Sequence, residues 1–240
     1  MNDAVAGSKR ACVIVPAYRE EGRIGRTVRA VAAHCANVVV VDDGSDDATA
    51  AEAREAGAHV LVHEQNRGKG KALETAFAYA RREGCEYVIT MDGDGQHDAA
   101  DIGRFVDAYE RGTAPVLVGN RMSDPGTMPW LRRWTNRFMS GLLSRQMGQS
   151  VPDTQCGFRL LRCDVLPARP MASHRFATES EMLLDLAAAG VRVGSVPIRV
   201  IYRDEKSKIN PIVDTVRFFR MLWLHRHGRR ASAQQDETTR

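Results

Sequence analysis

The chain has 240 residues, of which 43% are hydrophobic and 27% are charged, and its formal net charge is +4. This length and apolar content predict one large domain with a sizeable core, and they exclude general disorder. The positive charge is too mild to indicate a nucleic-acid partner, so none is predicted.

The five cysteines are an odd number and include no CxxC pair. A disulfide framework and a structural zinc site are therefore not indicated, and reduced thiols in a cytoplasmic protein are predicted. The N-terminus lacks the apolar stretch of a signal peptide, and no run approaches the roughly 18 apolar residues of a membrane-spanning helix. Any membrane contact is predicted to be peripheral, at the cytoplasmic face.

The first half of the chain alternates between apolar runs and helical patterns. The runs are continuous rather than alternating, which is typical of strands buried on both faces of a parallel sheet. They lie at residues 12–15, 38–41, 59–62, 87–91 and 116–119. Helices are predicted between them at 20–34, 47–56, 69–82 and 102–111. This order predicts an α/β fold with a mostly parallel, Rossmann-like sheet and helices on both faces.

The second half is less regular. A helix at 130–147 carries Arg132, Arg133, Arg137 and Arg145, and a strand at 158–161, a helix at 178–189 and an extended segment at 191–202 follow. The predicted organisation is a flexible N-terminus at 1–9, one catalytic domain at 10–209, a basic amphipathic helix at 210–227 and a disordered tail at 228–240.

The strongest chemical signal is Asp92-Gly93-Asp94-Gly95-Gln96, directly after the run at 87–91. Ligands of open α/β sheets bind beyond the carboxyl ends of the strands. Two carboxylates and an amide there are hard oxygen ligands that suit Mg²⁺ or Mn²⁺ with phosphate oxygens. The glycines lack side chains and so leave room for a diphosphate close to the backbone.

Three other interpretations use the same residues. A calcium EF-hand needs glycine and glutamate where this chain has His97 and Gly103, so it is excluded. A phosphatase of the haloacid-dehalogenase type places its Asp-x-Asp on the first strand and has threonine or valine where this chain has Gln96. An acidic turn that merely ends the strand is the third interpretation. The polar motifs that follow the other strands disfavour it.

Further polar groups follow the first two strands. Asp42 and Asp43 end the second run, where carboxylates can accept hydrogen bonds from a nucleobase or a ribose, and Ser45 or Asp46 is predicted to cap the next helix. After the first run, Tyr18 can pack against a base. The segment Asn66-Arg-Gly-Lys-Gly-Lys resembles a phosphate cradle at a helix N-terminus, although its spacing is not that of a P-loop.

In this order and spacing, PAYRE, VVVVDDGSDD, NRGKGKAL and MDGDGQH resemble family 2 glycosyltransferases. The subgroup with the greatest similarity is the polyprenyl-phosphate mannose and glucose synthases. Later segments, DTQCGFR at 153–159 among them, extend the similarity to about residues 10–225. The resemblance implies a GT-A fold, a nucleotide-sugar donor and inversion at the anomeric carbon.

The resemblance also implies roles for individual residues. Asp92 is expected at a ribose or at a metal-bound water, Asp94 and Gln96 at the metal, and Arg121 at the donor diphosphate. The implied donor-binding set is Pro16, Tyr18, Glu20, Asp42, Asp43, Asp92, Gly93, Asp94, Arg121, Arg203 and Lys208, of which Asp92, Asp94 and Arg121 form the implied catalytic set. The segment that contains Arg203 lacks a glycine found in many relatives, so Arg203 is aligned less firmly than Ser207 and Lys208.

The acceptor implied by the resemblance is a polyprenyl phosphate, which is already ionised and needs cations more than a base. Arg132, Arg133 and Arg137 are candidates for that role, and Ser207 is a further candidate. A solvated helix face is the other interpretation of the arginines. Glu179 and Glu181 are two apart on a helix, so at most one can face the site.

Other functions remain open at this stage. The same fold can transfer sugar to a hydroxyl of a glycan or glycolipid, and a sugar nucleotidyltransferase shares the strand-end metal site. An inactive sugar-nucleotide-binding regulator is a non-enzymatic alternative, which the intact Asp92, Asp94 and Gln96 disfavour.

The sequence does not decide whether a separate membrane protein anchors the chain. Its basic C-terminal segment, including Phe218, Phe219 and Trp223, is predicted to lie on an anionic membrane surface.

Overall fold

The computed structural model describes residues 11–124, 126, 128–167, 177–199, 201 and 218–219. Within these ranges the chain forms seven strands and six α-helices. The strands are β1 (Ala11–Ala17), β2 (Val38–Asp42), β3 (His59–Val62), β4 (Tyr87–Thr90), β5 (Val116–Asn120), β6 (Arg159–Arg162) and β7 (Val193–Pro197). The helices are α1 (Ile24–Ala32), α2 (Thr49–Glu55), α3 (Lys69–Arg82), α4 (Ile102–Glu110), α5 (Trp130–Met147) and α6 (Ala177–Ala188).

The strands form one sheet in the order β3-β2-β1-β4-β6-β5-β7. Strand β6 runs antiparallel to β4 and β5, whereas the other neighbouring pairs are parallel. The predicted mostly parallel sheet is therefore confirmed, and so is the predicted helix at 130–147.

Strands β2 and β4 are mainly apolar because both faces of the sheet are covered. Every residue of β2 is buried, as is every residue of β4. The prediction of full burial is wrong for β3, in which Val62 is exposed. This strand lies at the edge of the sheet and pairs on one side with β2.

Most other differences from the predicted elements are at their ends. The predicted extended segment at 191–202 is shorter, since β7 spans Val193–Pro197, and the predicted helix at 20–34 begins later, at Ile24. The predicted N-terminus at 1–9 and tail at 228–240 lie outside the described residues, as does most of the predicted helix at 210–227.

Two side chains of that C-terminal segment are described. Phe219 is exposed, but Phe218 is buried with only 2% of its surface accessible. The prediction that both belong to a membrane-facing band is therefore wrong for Phe218, because its ring packs into the protein core.

Candidate active site

The candidate site lies where the strand order reverses. Strands β1, β2 and β3 follow one another outward in one direction, whereas β4 pairs on the opposite side of β1. The loops that leave the carboxyl ends of β1 and β4 therefore separate and open a crevice, the usual ligand position in open α/β sheets. The loop Asp92–Gln96 follows β4 directly at this edge.

Asp92 is held between two basic groups. The Lys69 ammonium lies 2.5 Å from one carboxylate oxygen, and Nε2 of His97 lies 3.4 Å from the other. Burial disfavours the charged carboxylate, but the Lys69 charge and the His97 contact outweigh burial and hold the pKa of Asp92 well below its usual range. Asp92 is therefore a fixed negative charge in the crevice.

Asp94 has a different electrostatic environment. Its Oδ1 accepts a hydrogen bond of 3.0 Å from the backbone N–H of Gln96. Burial, followed by the neighbouring Asp92 charge, raises the pKa of its carboxyl group. A site that disfavours a second negative charge favours a cation that would neutralise both.

The oxygen donors fit Mg²⁺ or Mn²⁺. These ions are commonly held by one or two carboxylates together with substrate phosphates. Asp92, Asp94 and the Gln96 amide offer such a set, and no cluster of three His, Cys, Asp or Glu side chains suited to a metal occurs in the described part of the chain. The protein thus offers an incomplete coordination shell that a diphosphate would complete.

The glycines of this loop also face the protein, and the room predicted beside them for a diphosphate stays a prediction. A Cβ on Gly93 would be in ordinary contact with Ile24, Val15 and the carbonyl of Pro16, on the protein side of the loop. Gly95 has a φ of +73°, a conformation that glycine adopts at little cost. Both glycines therefore shape the turn against the protein.

Lys69 links Asp92 to a third carboxylate. Its ammonium also forms an ion pair with Oε1 of Glu179, which lies near the start of α6 and is almost fully buried. Burial lowers the pKa of Lys69, but the Asp92 and Glu179 charges raise it above its ordinary value. The other oxygen of Glu179 is buried and has no hydrogen-bond partner among the residues that the structure describes. Of Glu179 and Glu181, Glu179 is the one that reaches the site.

Asp42 and Asp43 organise the loops next to the crevice. Asp42 is buried and accepts hydrogen bonds from the N–H and hydroxyl of Ser45. Asp43 accepts from the N–H groups of Arg67 at 3.0 Å and Gly68 at 2.7 Å, and its carboxylate lies 2.7 Å from Nδ1 of His63. Both acids thus have partners in the protein that the sequence interpretation did not assign.

These contacts bear on two predictions. The phosphate cradle at 66–70 stays a prediction, and the N–H groups of Arg67 and Gly68 donate to Asp43. The helix cap predicted at Ser45 or Asp46 is wrong, because the N-cap of α2 is Ala48, and the preceding Asp47 accepts from the N–H of Thr49. Acidic and hydroxyl side chains are interchangeable in such turns, so the pattern alone could not select among them.

The loop after β1 is bound to the loop after β2. Pro16 lines the crevice, and Tyr18 is exposed with the Arg19 guanidinium 5.2 Å from its ring centre. The Glu20 carboxylate pairs with Arg23 at 2.7 Å, and its backbone N–H donates to the hydroxyl of Thr49. Tyr18 is therefore accessible to a flat ligand, whereas Glu20 is engaged within the protein.

Arg121 is buried against Asp153. Its Nε and Nη2 donate to the two carboxylate oxygens at 2.7 and 2.8 Å, and its backbone N–H donates to the same group at 3.1 Å. This bidentate pair fixes the end of β5 to the loop before β6. The role predicted for Arg121 at the donor diphosphate stays a prediction, and its described partner is Asp153.

Arg159 is a further organising residue. It is fully buried, and its guanidinium donates to the carbonyl oxygens of Cys156, Glu179 and Thr154 at 2.8–2.9 Å. Burial lowers its pKa. Because one rigid fork binds three carbonyl oxygens on two backbone segments, Arg159 holds Glu179 and the loop before β6 in fixed relation.

The predicted acceptor-phosphate residues lie on α5. The Nε of Arg133 is buried and has no hydrogen-bond partner in the described ranges. Arg137 lines a groove of about 420 Å³ between α5 and neighbouring loops. Hydroxyl groups dominate the polar part of that groove, which includes Ser123, Ser140, Ser144 and Ser150. Arg203, Ser207 and Lys208, also predicted at the site, lie outside the described residues.

The sequence interpretation missed Lys69 and His97 as partners of Asp92. Lys69 belongs to the basic segment at the start of α3, but its distance to the β4 loop depends on the β1–β4 pairing. His97 follows the acidic loop directly, yet a single histidine in a polar turn carries little information without the fold. Its ring packs on Phe158 with centroids 5.2 Å apart, which directs it at Asp92.

Comparison with known proteins identifies the family. Residues 12–168 match the family described as Glycosyl transferase family 2, which is more than half of the chain. Glycosyltransferase AglJ of Haloferax volcanii is 31% identical over 221 residues, which are 91% of this chain and 71% of the relative. The chain therefore belongs to glycosyltransferase family 2, and the predicted class of enzyme is confirmed.

Another relative is named for its substrates. The UDP-N-acetylglucosamine--dolichyl-phosphate N-acetylglucosaminyltransferase of Methanococcus voltae is 28% identical over 237 residues, with 88% of this chain and 94% of that protein covered. The similarity thus extends over nearly the whole of both chains.

Solved structures agree on the fold. Glucosyl-3-phosphoglycerate synthase from Mycobacterium tuberculosis, in complex with Mn²⁺, uridine-diphosphate-glucose and phosphoglyceric acid, superposes with a TM-score of 0.72 at 18% identity. The match covers 92% of this chain and 81% of that one. The predicted GT-A fold is confirmed.

Proposed function

We propose that this glycosyltransferase transfers a hexose from a nucleoside-diphosphate sugar to a polyprenyl phosphate, with inversion and with a divalent cation. The proposal rests above all on the acidic pair Asp92 and Asp94 beyond β4, in the crevice where the sheet order reverses. A nucleotide-sugar donor and a polyprenyl acceptor are the substrates for which the Methanococcus voltae relative is named.

The donor would lie across the carboxyl ends of β1, β2 and β4. Tyr18 offers an exposed ring on which a base can stack, and Pro16 lines the crevice. Asp42 and Asp43 keep the loop after β2 in place. Their predicted contact with the nucleoside would therefore be made by a loop that is already ordered. The base, guanine or uracil, is left to experiment.

The cation would be held by Asp92, Asp94 and Gln96. Mg²⁺ or Mn²⁺ bound there supplies positive charge that stabilises the departing diphosphate. Lys69 holds Asp92 in place before the donor arrives, and its charge balances that of Glu179. Fixed charges of this kind cost no reorganisation when the sugar bond breaks.

The charge pattern favours a phosphate acceptor over a hydroxyl acceptor. A hydroxyl needs a carboxylate base, but Asp92 and Glu179 share Lys69, and Asp153 is bound to Arg121 by two hydrogen bonds. A lipid phosphate is ionised and can attack the sugar without losing a proton. It needs cations instead, which Arg133 and Arg137 would supply beside the serine-lined groove.

Two other activities remain as alternatives. The same site acting on a glycan or glycolipid hydroxyl would need one of these carboxylates to leave its cation. A sugar nucleotidyltransferase would use the same metal site, but the segment Pro16–Glu20 at the end of β1 is not the glycine-rich basic loop that this chemistry uses.

An acceptor panel tests the proposal. The full chain is incubated with radiolabelled UDP- and GDP-sugars, Mn²⁺, and either a polyprenyl phosphate, the matching polyprenol or a glycolipid, all in detergent. We expect label in the organic phase with the polyprenyl phosphate and none with the polyprenol. Label on the glycolipid alone would instead establish the hydroxyl acceptor. A separate incubation with a sugar 1-phosphate and UTP or GTP tests for a nucleotidyltransferase, which would release pyrophosphate.

Such an acceptor implies a peripheral position at the cytoplasmic membrane face. In the described part of the chain, no helix combines the length and the apolar character needed to cross a bilayer. Whether a separate membrane protein contributes an anchor is a question for pull-down from solubilised membranes.

A further inference from the structure

Helix α5 has two apolar faces, and within the described part of the chain only one of them packs on the protein. Eight large hydrophobic side chains are exposed among the residues that the structure describes, and four of them are on this helix. The buried face includes Met139, Leu143 and Met147, and the exposed side chains are Trp130 (78%), Leu131 (52%), Trp134 (64%) and Phe138 (46%).

The exposed residues form a continuous stripe. Trp130, Trp134 and Phe138 are spaced by four, so at about 100° per residue they follow one another along one side of the helix. The rings of Trp134 and Phe138 stack in parallel with centroids 5.7 Å apart. The same spacing places Met139 and Leu143 on the opposite side, so the stripe points away from the core.

The charged side chains of helix α5 are all positive. Helix α5 contains no aspartate or glutamate. Arg137 and Arg145 are exposed, and helical spacing places both beside the aromatic stripe. Aromatic rings flanked by arginines suit the boundary between lipid headgroups and acyl chains, where the rings bury and the cations meet anionic lipids.

The packed face of the helix leads to the candidate active site. Ser140 exchanges hydrogen bonds with Thr154, at 3.1 Å between hydroxyls and at 2.9 Å from the Thr154 N–H. The Thr154 carbonyl is bound by Arg159, and the same loop continues to Gly157, which packs against the Asp92 carboxylate. A surface bound to the exposed face of α5 is therefore separated from the candidate active site by the thickness of this helix.

We propose that the aromatic stripe of α5, defined as Trp130, Leu131, Trp134 and Phe138, docks the enzyme on an anionic phospholipid bilayer. The inference rests on the proposed polyprenyl-phosphate acceptor, since such an acceptor is presented at a membrane. It assigns docking to α5 rather than to the C-terminal segment, where the one buried ring described, Phe218, packs into the core.

Other occupants fit the charge less well. A second copy docked symmetrically would bring the arginines of one α5 against those of the other. The C-terminal segment is also rich in arginine, with Arg217, Arg220 and Arg226 in its sequence. An anionic lipid surface is the partner that complements both the rings and the cations.

The positions of the tryptophans allow a direct test. The chain has three, Trp130 and Trp134 on the stripe and Trp223 in the C-terminal segment. In the Trp223→Phe protein, every tryptophan signal comes from α5. Phosphatidylglycerol vesicles at low salt should shift this emission to the blue, and lipids brominated on their acyl chains should quench it. Phosphatidylcholine vesicles, or high salt, should abolish both effects.

Three results would overturn the proposal. One is vesicle binding without a change in the Trp223→Phe emission, with the response found instead in a protein that carries Trp130→Phe and Trp134→Phe. Another is emission already blue-shifted and protected from acrylamide before vesicles are added, which would place the C-terminal segment or a second copy on the stripe. The third is absence of vesicle binding by the unmodified chain.

A variant separates docking from chemistry. Trp134→Glu with Phe138→Glu should weaken vesicle binding by about tenfold or more, because it places two carboxylates against anionic lipid. Transfer to a short-chain polyprenyl phosphate in detergent should stay within about twofold of the parent, and transfer to the vesicle-embedded acceptor should fall with binding. Unchanged vesicle binding would contradict the docking role, whereas inactivity of the parent in detergent would contradict the proposed function instead.

Discussion

A single methyl group at Gly157 is expected to disable the candidate site without unfolding the protein. A Cβ at this position would lie 2.6 Å from Oδ2 and 3.0 Å from Oδ1 of Asp92, whereas ordinary contacts begin at about 3.4 Å. The carboxylate must therefore move by roughly 0.8 Å, and its 2.5 Å contact with Lys69 must change. Because the group that moves is the end of a side chain, the cost in stability is small.

The effect on catalysis is expected to be large. A misplacement of about 1 Å in a catalytic group costs on the order of 10²-fold in rate. We therefore expect Gly157→Ala to lower kcat for nucleoside diphosphate release by about 10- to 100-fold while Tm changes little. The matched control is Gly141→Ala on α5, where a Cβ meets no atom within 4 Å.

The measurement pairs turnover with thermal unfolding monitored by circular dichroism on both variants. Full activity in a folded Gly157→Ala protein would falsify the claim that the position of Asp92 is essential to transfer. A large loss of Tm would show that the loop, rather than the carboxylate, is displaced.

Three further predictions concern the ion pairs around the crevice. Asp43→Ala removes the acceptor of three contacts and should lower the free energy of unfolding by about 3 kcal/mol, seen as a fall in Tm of roughly 6–12 °C. An unchanged Tm would show that Asp43 serves only to bind ligand. Arg121→Ala and Asp153→Ala should each cost about 3–5 kcal/mol in urea unfolding, and the double variant far less than the sum, whereas additive losses would contradict the buried pair. Lys69→Met leaves buried Glu179 without its cation and should cost about 3 kcal/mol, part of which Glu179→Gln should restore; a Lys69→Met protein as stable as the parent would refute that pairing.

The fold could be predicted from the sequence because its signals are local. Continuous apolar runs such as 38–41 indicate strands covered on both faces, and their alternation with helical patterns leaves few topologies. The exposure of Val62 was not predictable in this way, because an edge strand and a central strand share the same composition. The position of β3 at the edge depends on the pairing of the whole sheet.

The site was predictable as a set of strand-end residues but not as a set of contacts. Asp92 and Asp94 follow a strand, so their place at the sheet edge required only local reasoning. Lys69 and Glu179 lie on two different helices, and Lys69 meets both Asp92 and Glu179 only in the folded chain. Asp43 illustrates the reverse case, since its carboxylate is used within the protein although its position resembles that of a ligand contact.

The central claim is cation-dependent transfer of a sugar to a lipid phosphate, and the lipid product itself tests it most directly. The full chain and its Asp94→Asn variant are incubated with the nucleotide sugar and polyprenyl phosphate, with Mn²⁺ or with EDTA, and the extracted lipids are analysed by mass spectrometry. We predict a hexosyl phosphopolyprenol from the parent with Mn²⁺, little or none in EDTA, and a large loss in the folded variant. Equal product in EDTA, or no sugar on the lipid phosphate with any nucleotide sugar supplied, would contradict the account.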